Sequence, residues 1–469
     1  MINKTICLLG CLLWLVPAAW GQSEELAAKI EALIAEKLDA YSDVGISVYD
    51  LTAQQPIYNY RGEKLCRPAS TMKLLTTVAA ISRPEANEPF RTEVWYKGTI
   101  EHDTLRGDLY VVGGFDPEFD DTGMKALTDA VITLPFSVID GYVYGDVSMK
   151  DSIYFGAGWA WDDNPSYYHP YLSPLMLHKG YIRVTATPGE KGDTARLECE
   201  PASTYYTLTN ETKSRTSSAG KFSVSRNWLE NGNNVVVKGN VDTKRSGTVN
   251  IHDSGRFFMH TFLDRLQEQG MIITRGYAFE ELIKDDTATH ITTFESPVQT
   301  VISEVLKRSD NLGAEALLYR VAAQATGKKR VSAEDGLLQL SELVEKIGHD
   351  PERYRLADGS GLSDYNYLSP DLLVDLLKYS YQRTDLFQKL YKALPIAGID
   401  GTLRNRMKSG KAYKNVHAKT GSIGGIFTLA GYLKTSDGRE WAFAIMNQNV
   451  RSGTRAREFQ DAVCELLCE

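Results

Sequence analysis

The chain has 469 residues, of which 43% are hydrophobic and 24% charged, a globular composition long enough for roughly two to four domains and a large core. Its 52 lysines and arginines stand against 60 aspartates and glutamates, and no basic block breaks the net charge of −8, which argues against a nucleic-acid partner. The acidic balance alone points to no substrate.

The N-terminal stretch "MINKTICLLGCLLWLVPAAWGQSEE" has Lys4 as a short basic region, an apolar run from Ile6 to Val16, and the small-x-small triplet Ala19-Trp20-Gly21. This pattern predicts a cleaved signal peptide over residues 1–21, export, and a mature start near Gln22. A retained anchor is the alternative, but about eleven apolar residues fall short of the roughly twenty that span a bilayer. A lipoprotein site at Cys11 would leave too short an apolar region before it. Beyond the leader remain Cys66, Cys199, Cys464 and Cys468, an even number suited to an oxidising compartment, with their pairing open. None shows C-x-x-C spacing, and Cys464 and Cys468, four apart on one helix, are far apart for a direct disulfide.

An amphipathic helix is predicted over "EELAAKIEALIAEKLDAY", then two strands, "VGISVYDL" and "PIYNYRG", turning at residues 53–55. Next comes "CRPASTMKLLTTVAA", residues 66–80, where Pro68 opens a mostly apolar helical run. At a spacing of three, Ser70 and Lys73 share a face of that helix, and a lysine drawn inward loses affinity for its proton and can serve as a base. From about Pro89 to Lys284 short strand-like runs dominate ("FRTEVWYKG", "GDLYVVGG", "YIRVTATPG", "NNVVVKGNV", "SGTVNIH"), with helices at "GMKALTDAVITL" and "RFFMHTFLDRLQEQGM". Helical texture returns after Phe294. The C-terminus offers two alternating strands, "TLAGYLKT" and "EWAFAIMNQ", joined at Ser436-Asp437-Gly438, and a last helix. Strands near both ends predict one antiparallel sheet flanked by helices and assembled from the two termini, with the β-rich middle inserted.

Two further motifs bear on Ser70. "RSDNLGAEAL" sets Ser309, Asp310 and Asn311 between two helical runs, and "VHAKTGSIGGIFTLAGYL" sets Lys419-Thr420-Gly421 just ahead of a strand. Each triplet is weak alone, but S-x-x-K, S-D-N and K-T-G in this order form a known set for penicillin-binding proteins and class A β-lactamases. A serine acyl-enzyme needs a base, a proton route to the leaving amine, a cation for the substrate carboxylate and donors for the oxyanion. Ser70 suits the nucleophile and Lys73 its base. Ser309 suits the relay, Asn311 a holder of the substrate amide and of Lys73, and Lys419 with Thr420 a carboxylate site. Gly421 would let a substrate strand approach closely, and the N–H groups of Ser70 and Ser422 would face the oxyanion.

With 236 residues between Lys73 and Ser309, and the phrases "GGFDPEF", "DGSGLSDYNYLSP" and "LPIAGIDGTLRNRM", the chain resembles the penicillin-binding protein 4 type of class C low-molecular-mass D-alanyl-D-alanine carboxypeptidases/endopeptidases. The resemblance implies an α+β transpeptidase domain of the serine β-lactamase/DD-peptidase kind, formed by residues 22–88 and 290–469. It also implies an inserted domain II (89–185 and 245–289) and a β-rich domain III (186–244). It implies a periplasmic, penicillin-sensitive enzyme acting on peptidoglycan stem peptides, with β-lactam antibiotics as inhibitors and self-association into a homo-oligomer left open.

Within "GAGWAWDDNPSYYHPYLSP" the resemblance assigns Asp163, with Asp162 second, to the free amino end of a diaminopimelate-type side chain. The alternative is a Trp/Tyr-rich packing loop with a solvated Asp pair. Asp358, Gly359 and Ser360 read as a loop rather than a second nucleophile, and Asp400 as a residue at the surface or behind the site. The eight histidines form no metal frame, and His417 reads as a strand residue rather than a triad base. No phosphate loop or dinucleotide fingerprint implies a cofactor. A β-lactamase would share the three motifs but needs a deacylating-water loop of the E-x-x-L-N kind, which is missing. An idle wall-binding protein would not need all three motifs complete.

Overall fold

The computed structural model describes residues 15–469, with side chains from Glu24 onward. The leader and any lipoprotein site at Cys11 therefore fall largely outside the described residues. The first described helix, Leu15–Lys37, begins ahead of the amphipathic stretch from which a helix was expected. No described helix is long and apolar enough to cross a membrane.

The chain divides into two compact units. One holds residues up to 82, 306–309 and 340–469; the other holds 83–305 and 310–339. The second motif straddles this division, with Ser309 in the first unit and Asp310 and Asn311 in the second.

The first unit is built on a five-stranded antiparallel sheet. Its order is His417–Ile423, Ile426–Lys434, Glu440–Gln448, Asp43–Asp50, Gln55–Tyr60, so the N-terminal hairpin completes a sheet begun by the last three strands, as expected. Asp43–Asp50 pairs with Glu440–Gln448 from Asp43 opposite Gln448 to Asp50 opposite Trp441. The inward residues of this pair include Ile46, Val48, Phe443 and Ile445, which pack with Phe459, Val463 and Cys464 of the terminal helix Gly453–Leu467 and with Ile30 of the first helix. Burial on both faces explains why these strands read as apolar runs rather than strict alternation. The motif strand His417–Ile423 lies at the edge of the sheet.

The second unit carries the long hairpin Phe90–Glu101 and Thr104–Gly113 in a seven-stranded mixed sheet, covered by helices Asp121–Ile132 and Ser254–Glu268. Two three-stranded sheets follow. Tyr181–Thr187 sits between Arg245–Asn250 and Arg196–Glu200, and Asn234–Val241 sits between Ser223–Arg226 and Thr207–Ser214. Helices Val298–Ser303 and Asn311–Thr326 flank the second motif, joined through a π-helical turn, Glu304–Arg308. Such wide turns inside helical runs are frequent at functional sites.

Candidate active site

Ser70 does not sit on the α-helix that the apolar run predicts. It occupies a 3-10 turn, Ala69–Thr71, directly before helix Met72–Ile81. Ala69 takes φ +46°, a left-handed conformation that costs a non-glycine residue about 1–3 kcal/mol and is held here by its surroundings. Pro68 carbonyl accepts from Thr71 Oγ1 (2.7 Å) and from Thr428 Oγ1 (2.8 Å), tying the turn to the sheet. The expected partnership survives, since Lys73 Nζ lies 3.0 Å from Ser70 Oγ and donates to it.

Lys73 is fully buried, and its ammonium also donates to the Ser360 carbonyl at 2.6 Å. One turn later Thr76 Oγ1 donates to Gly359 carbonyl at 2.6 Å. The loop at residues 358–363 thus holds Lys73 and its helix in place, a role that sequence reasoning did not give it. Asp358 organises the loop, accepting from the N–H groups of Gly361 and Ser363 (both 2.7 Å) and from Asn366 Nδ2 (2.8 Å). Gly361 is required: at φ +76°, a Cβ there would lie 1.9 Å from Ala69 carbonyl oxygen. The phrase "DGSGLS" carried this signal, because closely spaced Gly and Ser beside an Asp form a compact hydrogen-bonded turn.

Lys419 lies inside the edge strand rather than ahead of it. It is fully buried and donates to Ser309 Oγ at 2.9 Å and to Thr420 carbonyl at 2.7 Å. Burial, and next the positive charge of Lys73, hold its pKa well below the usual lysine value. A second ammonium in the same pocket adds to the cost of charging Lys419 away from water. Thr420 Oγ1 donates to Thr402 Oγ1 at 2.8 Å, a partner that the K-T-G motif did not announce. Gly421 answers to the chain itself: a Cβ would fall 2.1 Å from Thr428 Oγ1 and 3.0 Å from Ser70 nitrogen. Its smallness admits the Ser70 turn against the strand. Ser422, next along, is exposed at the edge.

Ser309 has φ +63°. Two residues before it, Lys307 Nζ reaches Asp400 Oδ2 and Leu394 carbonyl, both at 2.6 Å, which explains Asp400 in "AGIDGTL" as an anchor of this segment. His417 opens the edge strand and stacks on Tyr391 with ring centroids 4.0 Å apart, and burial lowers its pKa. That is a packing role in a strand, in line with the reading of the sequence.

In the second unit, Asn311 begins helix Asn311–Thr326 and donates through Nδ2 to Tyr168 carbonyl at 2.8 Å. Tyr168 hydroxyl donates in turn to Asp163 Oδ1 at 3.0 Å. Tyr168 thereby links the S-D-N motif to the acidic residue of the Trp/Tyr-rich segment. Asp162 is exposed. Cys66, Cys199, Cys464 and Cys468 are free thiols. Among the described residues, no group of three or more His, Cys, Asp or Glu is arranged to hold a metal.

The family model of the D-Ala-D-Ala carboxypeptidase 3 (S13) family matches residues 26–469. The chain belongs to that family. The carboxypeptidase is 28% identical over 483 residues to the D-alanyl-D-alanine carboxypeptidase of Actinomadura sp. (strain R39), covering 98% of this chain and 88% of the relative. It is 26% identical to the D-alanyl-D-alanine carboxypeptidase DacB of Haemophilus influenzae, over 87% of this chain and 86% of the relative. Its fold matches the crystal structure of penicillin-binding protein 4 from H. influenzae with a TM-score of 0.82 at 23% identity, over 94% of this chain and 99% of the other. The expectations of an α+β penicillin-binding fold and of a serine-type D-alanyl-D-alanine carboxypeptidase are borne out.

Proposed function

We propose that the carboxypeptidase removes the terminal D-alanine of peptidoglycan stem peptides through an acyl-enzyme on Ser70. The observation that carries this reading is the 3.0 Å contact between Lys73 Nζ and Ser70 Oγ in a pocket where Lys73 is fully buried. In its neutral form Lys73 takes the hydroxyl proton as Ser70 Oγ bonds to the carbonyl carbon of the penultimate residue. The oxyanion is held by the N–H groups of Ser70 and Ser422. The C–N bond to the terminal D-alanine then breaks, and Ser309, bonded to Lys419, passes a proton to the departing amine. Water hydrolyses the ester and frees Ser70.

Lys419 and Thr420 hold the terminal carboxylate, whose charge stabilises the protonated form of Lys419. Gly421 and Ser422 offer the strand edge to the substrate backbone, the geometry of β-strand addition. Asn311 holds the substrate amide, and Asp163 pairs with the free amine of a diaminopimelate-type side chain. A β-lactam carries the same carboxylate and a reactive carbonyl, so it acylates Ser70. The solved penicillin-binding protein 4 of H. influenzae includes a complex with a β-lactam, which supports this part of the reading. Cleavage of cross-bridges, export to the periplasm, and the division of the inserted region into domains II and III belong to the same proposal.

Ser70→Ala abolishes covalent penicillin labelling while the far-UV spectrum and Tm stay at wild-type values; an adduct found on any other peptide by mass spectrometry moves the nucleophile. Asp163→Asn lowers kcat/KM about ten- to a hundredfold on peptides with a free side-chain amine, as expected for one charged hydrogen bond, and spares penicillin acylation. An equal loss on an amine-blocked peptide returns Asp163 to packing.

A further inference from the structure

Outside the residues that meet substrate, the second unit contains a compact charged cluster attached to the second motif. Lys179 Nζ donates to Glu118 Oε1 at 2.6 Å and to Asp310 Oδ2 at 2.7 Å. The three side chains are 21%, 17% and 15% exposed. Asp310 is the middle residue of the S-D-N triplet, and the same carboxylate oxygen accepts from Gly313 N–H, capping helix Asn311–Thr326. Lys179 itself is at φ +57°, and His178 before it at φ +46°. Two successive left-handed residues without glycine are costly, and they turn the ammonium into this cluster.

We propose that Lys179, braced by Glu118, is a positioning residue for the hydrolytic reaction. It acts by fixing Asp310, and through the chain it fixes Ser309 on one side and Asn311 on the other. A cation shared by two carboxylates holds Asp310 in one orientation. The cap that Asp310 makes then sets where the helix starts and where the Asn311 amide points. Ser309, with its own left-handed φ, has Lys307 anchored two residues earlier and Asp310 anchored one residue later, so neither side of the turn is free to relax. Burial pushes the Glu118 carboxyl up to about 7 in spite of Lys179, while the two carboxylates raise the pKa of Lys179. Both directions fit a cluster built for rigidity at a cost in desolvation. The inference rests on the reading of Ser309 and Asn311 as participants in acylation.

The test compares Lys179→Met, Lys179→Arg, the double variant Lys179→Met/Glu118→Gln, Ser309→Ala and Asn311→Ala in the full chain. Penicillin acylation, kcat and KM for D-alanine release from a stem pentapeptide, and Tm are measured for each. Lys179→Met is expected to lower the acylation rate and kcat about ten- to a hundredfold with KM within twofold, as misplacement of catalytic groups does. Lys179→Arg should recover most of that loss. In the double variant Tm should rise toward wild type, because the buried Glu118 carboxyl that has lost its cation is gone, while kcat stays low because Asp310 still lacks its cation. Wild-type kcat in Lys179→Met, or kcat recovering in step with Tm in the double variant, overturns the proposal. Should Lys179→Met not fold, the arginine and double variants decide by the same criteria. Silent Ser309→Ala and Asn311→Ala would instead overturn the reading of the second motif.

Discussion

Lys419 in the sheet unit and Lys179 in the inserted unit are both withdrawn from water, and their surroundings oppose each other. Lys179 is shared between two carboxylates, and its pKa is raised. Lys419 has a serine hydroxyl and a backbone carbonyl, with a second buried lysine in the same pocket, and its pKa is lowered. A lysine that serves the fold is neutralised by the fold, because an unbalanced buried charge costs several kcal/mol. A lysine left unbalanced, as Lys419 is, suits the role proposed for it, in which a ligand's carboxylate supplies the missing charge. On the proposed reading, the difference separates scaffold from site without reference to motifs.

The largest effect expected from this contrast follows Lys73→Ala. Removing the proposed base should slow acylation by about 10²–10⁴-fold with little change in initial ligand binding, measured by stopped-flow with a chromogenic cephalosporin. An unchanged rate would move the base elsewhere. The same substitution leaves the burial that chiefly depresses Lys419 but removes the smaller contribution of a like charge, so Lys419 should titrate at somewhat higher pH in the variant.

The second way to sharpen the contrast is pH. The folded-state pKa of Glu118, about 7, exceeds the ordinary 4.5, so between these values the folded state binds more protons than the unfolded one. Stability contributed by this group is full below 4.5 and falls as pH rises toward 7, by on the order of 2–3 kcal/mol. Denaturant titrations at pH 5 and 7 should show that slope in wild type and its absence in Glu118→Gln.

The smallest effect belongs to Lys419→Met. Its ammonium is disfavoured in the folded state, so the unfolded chain binds more protons between the lowered pKa and 10.5, and wild-type stability rises with pH through that window. Methionine keeps the stem without the charge. The variant should be more stable than wild type at neutral pH, by about 1–2 kcal/mol, while its KM for stem peptide rises. A fall in stability would mean that Lys419, like Lys179, supports the fold.

Much of this was legible in the chain because it is local. The spacing of Ser70 and Lys73, the triplets at 309–311 and 419–421, and the apolar runs of the terminal strands declare themselves within a few residues. Three features were not. Lys73 meets the Ser360 carbonyl 287 residues away, and a backbone acceptor leaves no trace in residue identity. Lys179 reaches Asp310 from 131 residues away, with nothing around "LHKGY" to distinguish it from a surface lysine. The 3-10 turn under Ser70 reads as helix because its residues are compatible with both, and it is set by Thr428 and Gly361, which lie far along the chain. Gly421 was recognised as a position that must be small, but its neighbour is the protein's own Ser70 turn.

The pairing of Asp43–Asp50 with Glu440–Gln448 also has a consequence in time. The strand that precedes Ser70 finds its neighbour only when residues 440–448 have been made, and contacts of such sequence separation form slowly. Until then Ser70 has neither the edge strand beside it nor Lys419 in its pocket, because both come from the same late segment. Lys73 thus meets Ser70 within one local segment, whereas Lys419 joins the pocket only as the sheet closes.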